Sequence, residues 1–350
     1  MNKAVASTLV AVLTITAAAG CSGKPHRTVR ASPVAAESSS PPPEPLTPDV
    51  AAKAFHSFVN NDDVARASGD ERLALWWTSE GQSQLTAAAF RRAVAAGDPV
   101  PRYVYGKPVF YVPHLLLTGP QWFVVSARRT TTDGKDPHTV YMGFLRTKSV
   151  QRWRLSALAV LDDKQKPPKV AVDSDGYAKA LATFDNALLI PPRLVPSIQA
   201  TLAEEGPQNV AAQVMRAGKY TTGYYATDQK AMKNKKAKKA GLHNSVVYAA
   251  TSFPIFPLAT ADGGGLVLYA LSRDTVITKS KDKDKSDRFP VPDDAAPFLT
   301  SKSVKSEIDI SQTMQYVAVV PAKPKKEDGT VKAQIIGADG GTVKASVPTK

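Results

Sequence analysis

Cys21 is the one cysteine in 350 residues, and it closes a run of small and apolar side chains ending Ala18-Ala19-Gly20. A thiol can serve as nucleophile, metal ligand, redox partner or acceptor for a lipid, and each use leaves different neighbours around it. Without a second cysteine there is no internal disulfide, no CxxC couple and no thiolate zinc cluster. His26, His56, His114, His138 and His243 are scattered, with no HxH or HExxH spacing. Asp173-Ser174-Asp175-Gly176 opens like a calcium loop. Its twelfth position is Phe184, or Ala182 if Gly176 is placed sixth, where a bidentate glutamate is required. The chain also lacks a G-x-S-x-G elbow, a glycine-rich phosphate loop and an S-x-x-K set with its partner motifs. No metal or cofactor is therefore expected. Asp49, His56 or Tyr105 could move a proton in a pocket, but no spacing selects them, and an enzymatic role is left open without being favoured.

The surroundings of Cys21 point to a lipid. Met1 to Gly20 begins with a short polar start carrying Lys3, and an apolar stretch from Ala4 to Ala19 follows. That stretch is shorter than the ~20 residues that span a bilayer, so a signal-peptide h-region is expected. The end of the stretch resembles the bacterial lipobox, in which small residues precede a cysteine that becomes the acylated N-terminus. Ala18 stands where that motif usually has leucine. Ordinary secretory cleavage after Ala17-Ala18-Ala19 is the competing reading, and the position of a lone cysteine favours lipidation. Two or three acyl chains on Cys21 would anchor stably, where one alone holds only marginally. Residues 21–46, rich in Ser, Pro and Ala, carry too little apolar surface to offset their ordering entropy, and are expected to form a disordered tether.

Two further groups could make contacts. Lys230, Lys233, Lys235, Lys236, Lys238 and Lys239 fall within ten residues. Their spacing distributes them all round a helix, so a solvated loop or frayed helix is expected rather than a membrane-lying stripe. Such a cluster suits anionic headgroups or wall phosphates, at roughly 1 kcal/mol per lysine near a charged surface. Trp76, Trp77 and Trp122 are candidate pocket aromatics, against the plainer expectation that they fill the core. The formal net charge of +14 favours polyanionic partners. An extracytoplasmic address and the lack of an aromatic-interleaved basic motif exclude nucleic acid. "KSKDKDKSDR" from Lys279 alternates in sign and reads as an exposed loop.

The elements that would position these residues read as two α+β units. Thr47-Pro48-Asp49 is a helix start, and Ala51, Phe55, Phe58 and Val59 share a face. Helices are also expected over Leu73–Trp77 and Leu85–Ala96, then strands over Tyr103–Val112, Gln121–Thr130, Thr139–Thr147 and Gln151–Leu161. After a polar linker, 162–176, helices are expected over Tyr177–Leu189, Leu194–Glu205 and Gln208–Arg216. Strands follow over Ser245–Thr251, Leu266–Thr278, Ile308–Val320, Val331–Ile336 and Thr342–Val347. Hairpin turns are placed at Asp262-Gly263-Gly264-Gly265 and Asp339-Gly340-Gly341. The expected fold class is α+β, with two tandem domains, 47–161 and 177–350, each of helices packed on a curved antiparallel sheet, a cystatin-like or nuclear-transport-factor-like cone. "PVFYVPHLLLTGPQWFVVSARR" from Pro108 matches "PIFPLATADGGGLVLYALSR" from Pro254 loosely, which suits a duplication.

The order of lipobox, Pro/Ser tether, "ALWWTSEGQ", "WFVVSARR", "RWRLSALAVL" and "FPLATADGGGLVLYALSR" is similar to a family of actinobacterial surface lipoproteins built around a domain of unknown function. The resemblance implies a protein anchored on the extracytoplasmic face of the cell membrane and carries no catalytic residue with it. The expected role is binding or scaffolding at the cell envelope, through contact with anionic lipid or wall polymer. The alternatives are a small-molecule carrier with a cone pocket and an enzyme of unrecognised class.

Overall fold

Thr47 has the extended backbone of an N-cap, and its hydroxyl accepts a hydrogen bond from the Val50 amide at 3.2 Å. Pro48 then opens α1 (Pro48–Ser68) with Asp49 in the first turn, at the positive end of the helix dipole. Asp70 caps α2 (Glu71–Trp76) by accepting from the Leu73 amide, and α3 (Glu80–Ala96) follows. Gly69 and Gly97 end α1 and α3 in the left-handed conformation that glycine adopts without steric cost. The computed structural model describes residues 44–280, 288–326 and 330–348. The signal segment, Cys21 and nearly all of the expected tether lie outside them, as does most of the charged loop after Lys279.

Five strands follow the first three helices: β1 (Tyr103–Tyr105), β2 (Val109–Tyr111), β3 (Gln121–Thr131), β4 (His138–Arg146) and β5 (Arg154–Leu161). Next come α4 (Val195–Glu205), α5 (Thr222–Met232) and α6 (Lys235–Lys239). The remaining strands are β6 (Leu242–Ala250), β7 (Phe256–Ala259), β8 (Gly265–Lys279), β9 (Phe289–Pro290), β10 (Ser303–Val304), β11 (Glu307–Val320) and β12 (Gln334–Ser346). The protein is α+β, with one ten-stranded antiparallel sheet in the order β1-β3-β4-β5-β12-β11-β8-β6, β2 beside β3 and β7 beside β8. Strands from both halves of the chain thus share one sheet. They meet at a narrow seam, where β5 and β12 pair only through Gly337 with Leu161 and Ala338 with Val160.

Three main cores follow from this layout. In the first, α1 lays Val50, Ala51, Phe55 and Phe58 on β3 and β4, and Phe58 meets Phe144 edge-on at 5.5 Å. Burying each such ring contributes about 1.5–3 kcal/mol. The second gathers α4 residues Leu202 and Ala203 with Tyr269, Leu271 and Tyr316. The third mixes Tyr141, Ala157 and Leu161 with Phe256, Leu268 and Val317, across the seam.

Several expected elements take another form. Tyr103–Val112 splits into β1 and β2, because three residues, including Pro108 with no amide to donate, stand opposite two on β3. Tyr177–Leu189 is not a helix. Its amides pair elsewhere, Ala178 with the Val112 carbonyl, Leu181 with that of Pro257 and Leu189 with that of Pro321, so tertiary partners replace i to i−4 bonds. Gln208–Arg216 shortens to a 3-10 turn at Val210–Gln213. Asp339-Gly340-Gly341 is no hairpin, since β12 runs through it paired with β11 throughout. A Cβ on Gly340 would lie 2.5 Å from the Thr313 carbonyl oxygen, so the glycine permits close approach of two strands rather than a reversal. The turn at Asp262 joins β7 to β8 as expected.

Candidate functional site

On α1, Asp62 and Arg66 continue the stripe that carries Phe55 and Phe58, which places two charged groups on the buried face. Arg66 Nε donates to Asp62 Oδ2 at 2.7 Å, and Arg66 Nη1 donates to the Pro101 carbonyl at 3.0 Å. Burial opposes the charge on Arg66, and the Asp62 carboxylate outweighs it, so the guanidinium is held more firmly protonated. Only one carboxylate oxygen of Asp62 is used. Its Oδ1 is buried with no partner, as is Oε1 of Gln82 on α3.

Both residues line a cavity of about 120 Å³ between α1, α3 and the sheet. Tyr103 and Tyr105 enter from one face of β1, as the two-residue strand period dictates. Arg129 comes from β3, Arg92 from α3, and Asp339 with Gly340 from β12. The Tyr103 ring lies between the guanidiniums of Arg66, 5.3 Å from its centroid, and Arg129, at 4.5 Å. Arg92 Nη1 donates to the Thr342 carbonyl at 2.9 Å. Burial pushes the Asp339 carboxyl up, against the opposing pull of Arg129, Arg92 and Arg66. Burial also raises the Tyr105 phenol, keeping it a neutral donor. Phe58, Leu85, Leu155 and Leu158 supply apolar walls. The cavity therefore presents cationic donors and uncommitted acceptors together, an arrangement suited to recognition.

Of the candidate site residues named from sequence, Tyr105 alone lines this cavity. Asp49 is exposed at the start of α1, and His56 is exposed with its ring edge-on to Phe55. Trp76 is 57% exposed, with the Arg152 guanidinium 3.7 Å from its ring centroid. Trp77 packs on the first core, and Trp122 meets Phe256 edge-on at 5.7 Å in the third. The lysines occupy the end of α5 and the short α6, where Asn234 caps the second helix by accepting from Lys236 and Ala237. Lys230, Lys233, Lys235, Lys236, Lys238 and Lys239 are all exposed, and none forms an ion pair among the described residues. The Asp173 segment is an Asx turn, its carboxylate accepting from the Asp175 and Tyr177 amides. No group of three or more metal-ligating side chains occurs among the described residues.

Asp62, Arg66, Arg92, Arg129 and Asp339 were missed as site residues. A signal for the first two was present, since an i, i+4 ion pair interrupting the apolar stripe of a helix is costly unless it is matched or used.

Residues 43–347 match the family described as domain of unknown function DUF8094, and the chain belongs to that family. It is similar to an uncharacterized lipoprotein of Streptomyces avermitilis, 27% identical over 154 residues, an alignment covering 43% of this chain and 42% of that protein. The chain thus matches less than half the length of that curated relative. No solved structure matches it significantly. Among the described residues no helix is long and apolar enough to cross a membrane.

Proposed function

We propose that this protein is held on the extracytoplasmic face of the cell membrane by acyl chains on Cys21, following cleavage of residues 1–20, and acts there by binding rather than catalysis. The similarity to a lipoprotein supports the anchor. Residues 21–46 would link it to the folded part.

The observation that carries the binding role is the segment from the end of α5 through α6, which presents six exposed lysines with no acidic partner among the described residues. Near a negative surface each adds about 1 kcal/mol of attraction, and this decays within a Debye length of about 8 Å at physiological salt. Anionic lipid or phosphate-bearing wall polymer is the partner this chemistry fits, and nucleic acid is not. In a test, Cys21→Ala protein should pellet with phosphatidylglycerol vesicles or with purified wall polymer at low salt, and not with phosphatidylcholine vesicles. Replacing the six lysines by glutamine should abolish that binding. Retention of binding by the lysine-free variant would refute the assignment. In cells, Cys21→Ala should leave an unprocessed or released form, and mature protein still bound to the membrane would refute the anchor.

Two tandem domains, 47–161 and 177–350 joined by 162–176, remain our reading of the ancestry. Replacing each strand by its counterpart, β1 by β6, β2 by β7, β3 by β8, β4 by β11 and β5 by β12, reproduces the sheet order from the other end. The two seam pairs exchange under the same half-turn. A second reading, a small-molecule carrier, is favoured by the cavity under α1 and α3.

A further inference from the structure

We propose that the cavity between α1, α3 and β12 binds a small oxyanion that carries its own hydroxyl donor, the chemistry shared by hydrogen phosphate and short hydroxycarboxylates. The proposal rests on reading the cavity as a ligand site and adds the class of ligand.

Charge is the first reason. Arg66, Arg92 and Arg129 face only two carboxylates, Asp62 and Asp339, so the lining is left with one positive charge against apolar walls. Arg66 is committed to Asp62, whereas the Arg129 guanidinium makes no side-chain hydrogen bond among the described residues, lying over the face of Tyr103 and within the field of Asp339. An anion between Arg92 and Arg129 would balance the site, which water cannot do.

The unpartnered acceptors are the second reason. Asp62 is 4% and Gln82 8% exposed, and Oδ1 of one and Oε1 of the other lack a hydrogen bond. Buried acceptors call for donors. A sulfate or simple carboxylate has none to give, while a hydroxyl on the anion supplies one. The same ligand then satisfies the guanidiniums with its oxygens and gives its proton to one of the orphaned acceptors at a time.

Size is the third reason. A cavity of about 150 Å³ holds benzene, about six heavy atoms. At about 120 Å³ this one encloses an anion of about that size and cannot enclose a whole nucleotide or hexose phosphate. Gly340, exposed and part of the lining, leaves an edge open to solvent.

The test is calorimetric titration of the full-length protein in detergent with two matched pairs, hydrogen phosphate against sulfate and lactate against propionate. In at least one pair the hydroxyl-bearing anion should bind at least tenfold tighter than its donor-free partner, and which pair does so separates the two ligand sources. Gln82→Leu removes an acceptor that is already unpaired, so the variant should fold; its affinity for the hydroxyl-bearing anion should fall most of the way to that of the donor-free partner. Arg129→Met should lose binding of every anion tested, with an unchanged circular dichroism spectrum. Equal affinity for donor-bearing and donor-free anions would overturn the ligand class while leaving a binding cavity. Absence of anion binding in the parent protein, or undiminished binding in Arg129→Met, would overturn the cavity site itself.

Discussion

Replacing Gln315 by leucine probes how the two halves of the sheet are joined. β12 pairs with β5 at only two positions and Leu155 at the other end of β5 bridges Thr78, so the stretch between, at Ser156–Leu158, has no strand partner on that side among the described residues. Gln315 of β11 fills the gap. Its fully buried side chain accepts from the Leu158 amide at 2.7 Å and donates to the Ser156 carbonyl at 3.4 Å. Leucine fills a similar volume, so the loss is polar. An amide left buried and unpaired costs about 1–3 kcal/mol, and the long contact to Ser156 adds little. Unfolding entropy near 2.1 cal/mol/K per residue over about 300 ordered residues is roughly 0.6 kcal/mol/K, so Tm should fall by about 2–5 °C. Scanning calorimetry measures the shift, and hydrogen exchange locates it, with the Leu158 amide accelerated first. An unchanged or raised Tm, or a lowered Tm with unaltered exchange at Leu158, would refute the claim that this side chain stands in for a missing strand.

Two further perturbations address the site and the seam. Burial raises the Asp339 carboxyl, so the native state holds that proton more tightly than the unfolded chain. The stability it contributes is full below the ordinary aspartate value near 3.9 and is lost as pH rises through the native value. Asp339→Asn should therefore raise the urea midpoint at pH 7 and leave it nearly unchanged at pH 3.5; a lowered midpoint at pH 7 would mean that the arginines outweigh burial. Gly337→Ala would place a Cβ 2.3 Å from the Val160 carbonyl oxygen and 2.8 Å from the Leu161 Cα, both backbone atoms of the seam. It should cost about 3 kcal/mol, measured by urea unfolding, while Gly341→Ala, which meets only Arg92 Nη1 at 3.9 Å, should stay within about 0.5 kcal/mol.

Local chemistry was legible wherever neighbours along the chain supply it. Thr47-Pro48-Asp49 starts a helix because the hydroxyl, ring and carboxylate act on amides within one turn. The continuous apolar runs of β3, β4 and β8 announce strands covered on both faces, and β11 alternates along its first half before it too becomes fully buried. The same reasoning misplaced Tyr177–Leu189, whose helix-compatible pattern yields to carbonyls of Val112, Pro257 and Pro321 that lie far away in sequence. It also misread Gly340, because a turn and a close strand crossing both select glycine, and only the partner strand distinguishes them.

By itself the sequence determined the α+β class and the main helices and strands, since each depends on residues adjacent in the chain. The tertiary structure alone decided that strands of both halves share one sheet. It also brought Asp62, Arg92, Arg129 and Asp339, from four different elements, around one small cavity. A charge has no fixed meaning along a chain. Whether it is solvated, paired or left facing a ligand depends on the dielectric and the partners that folding places beside it.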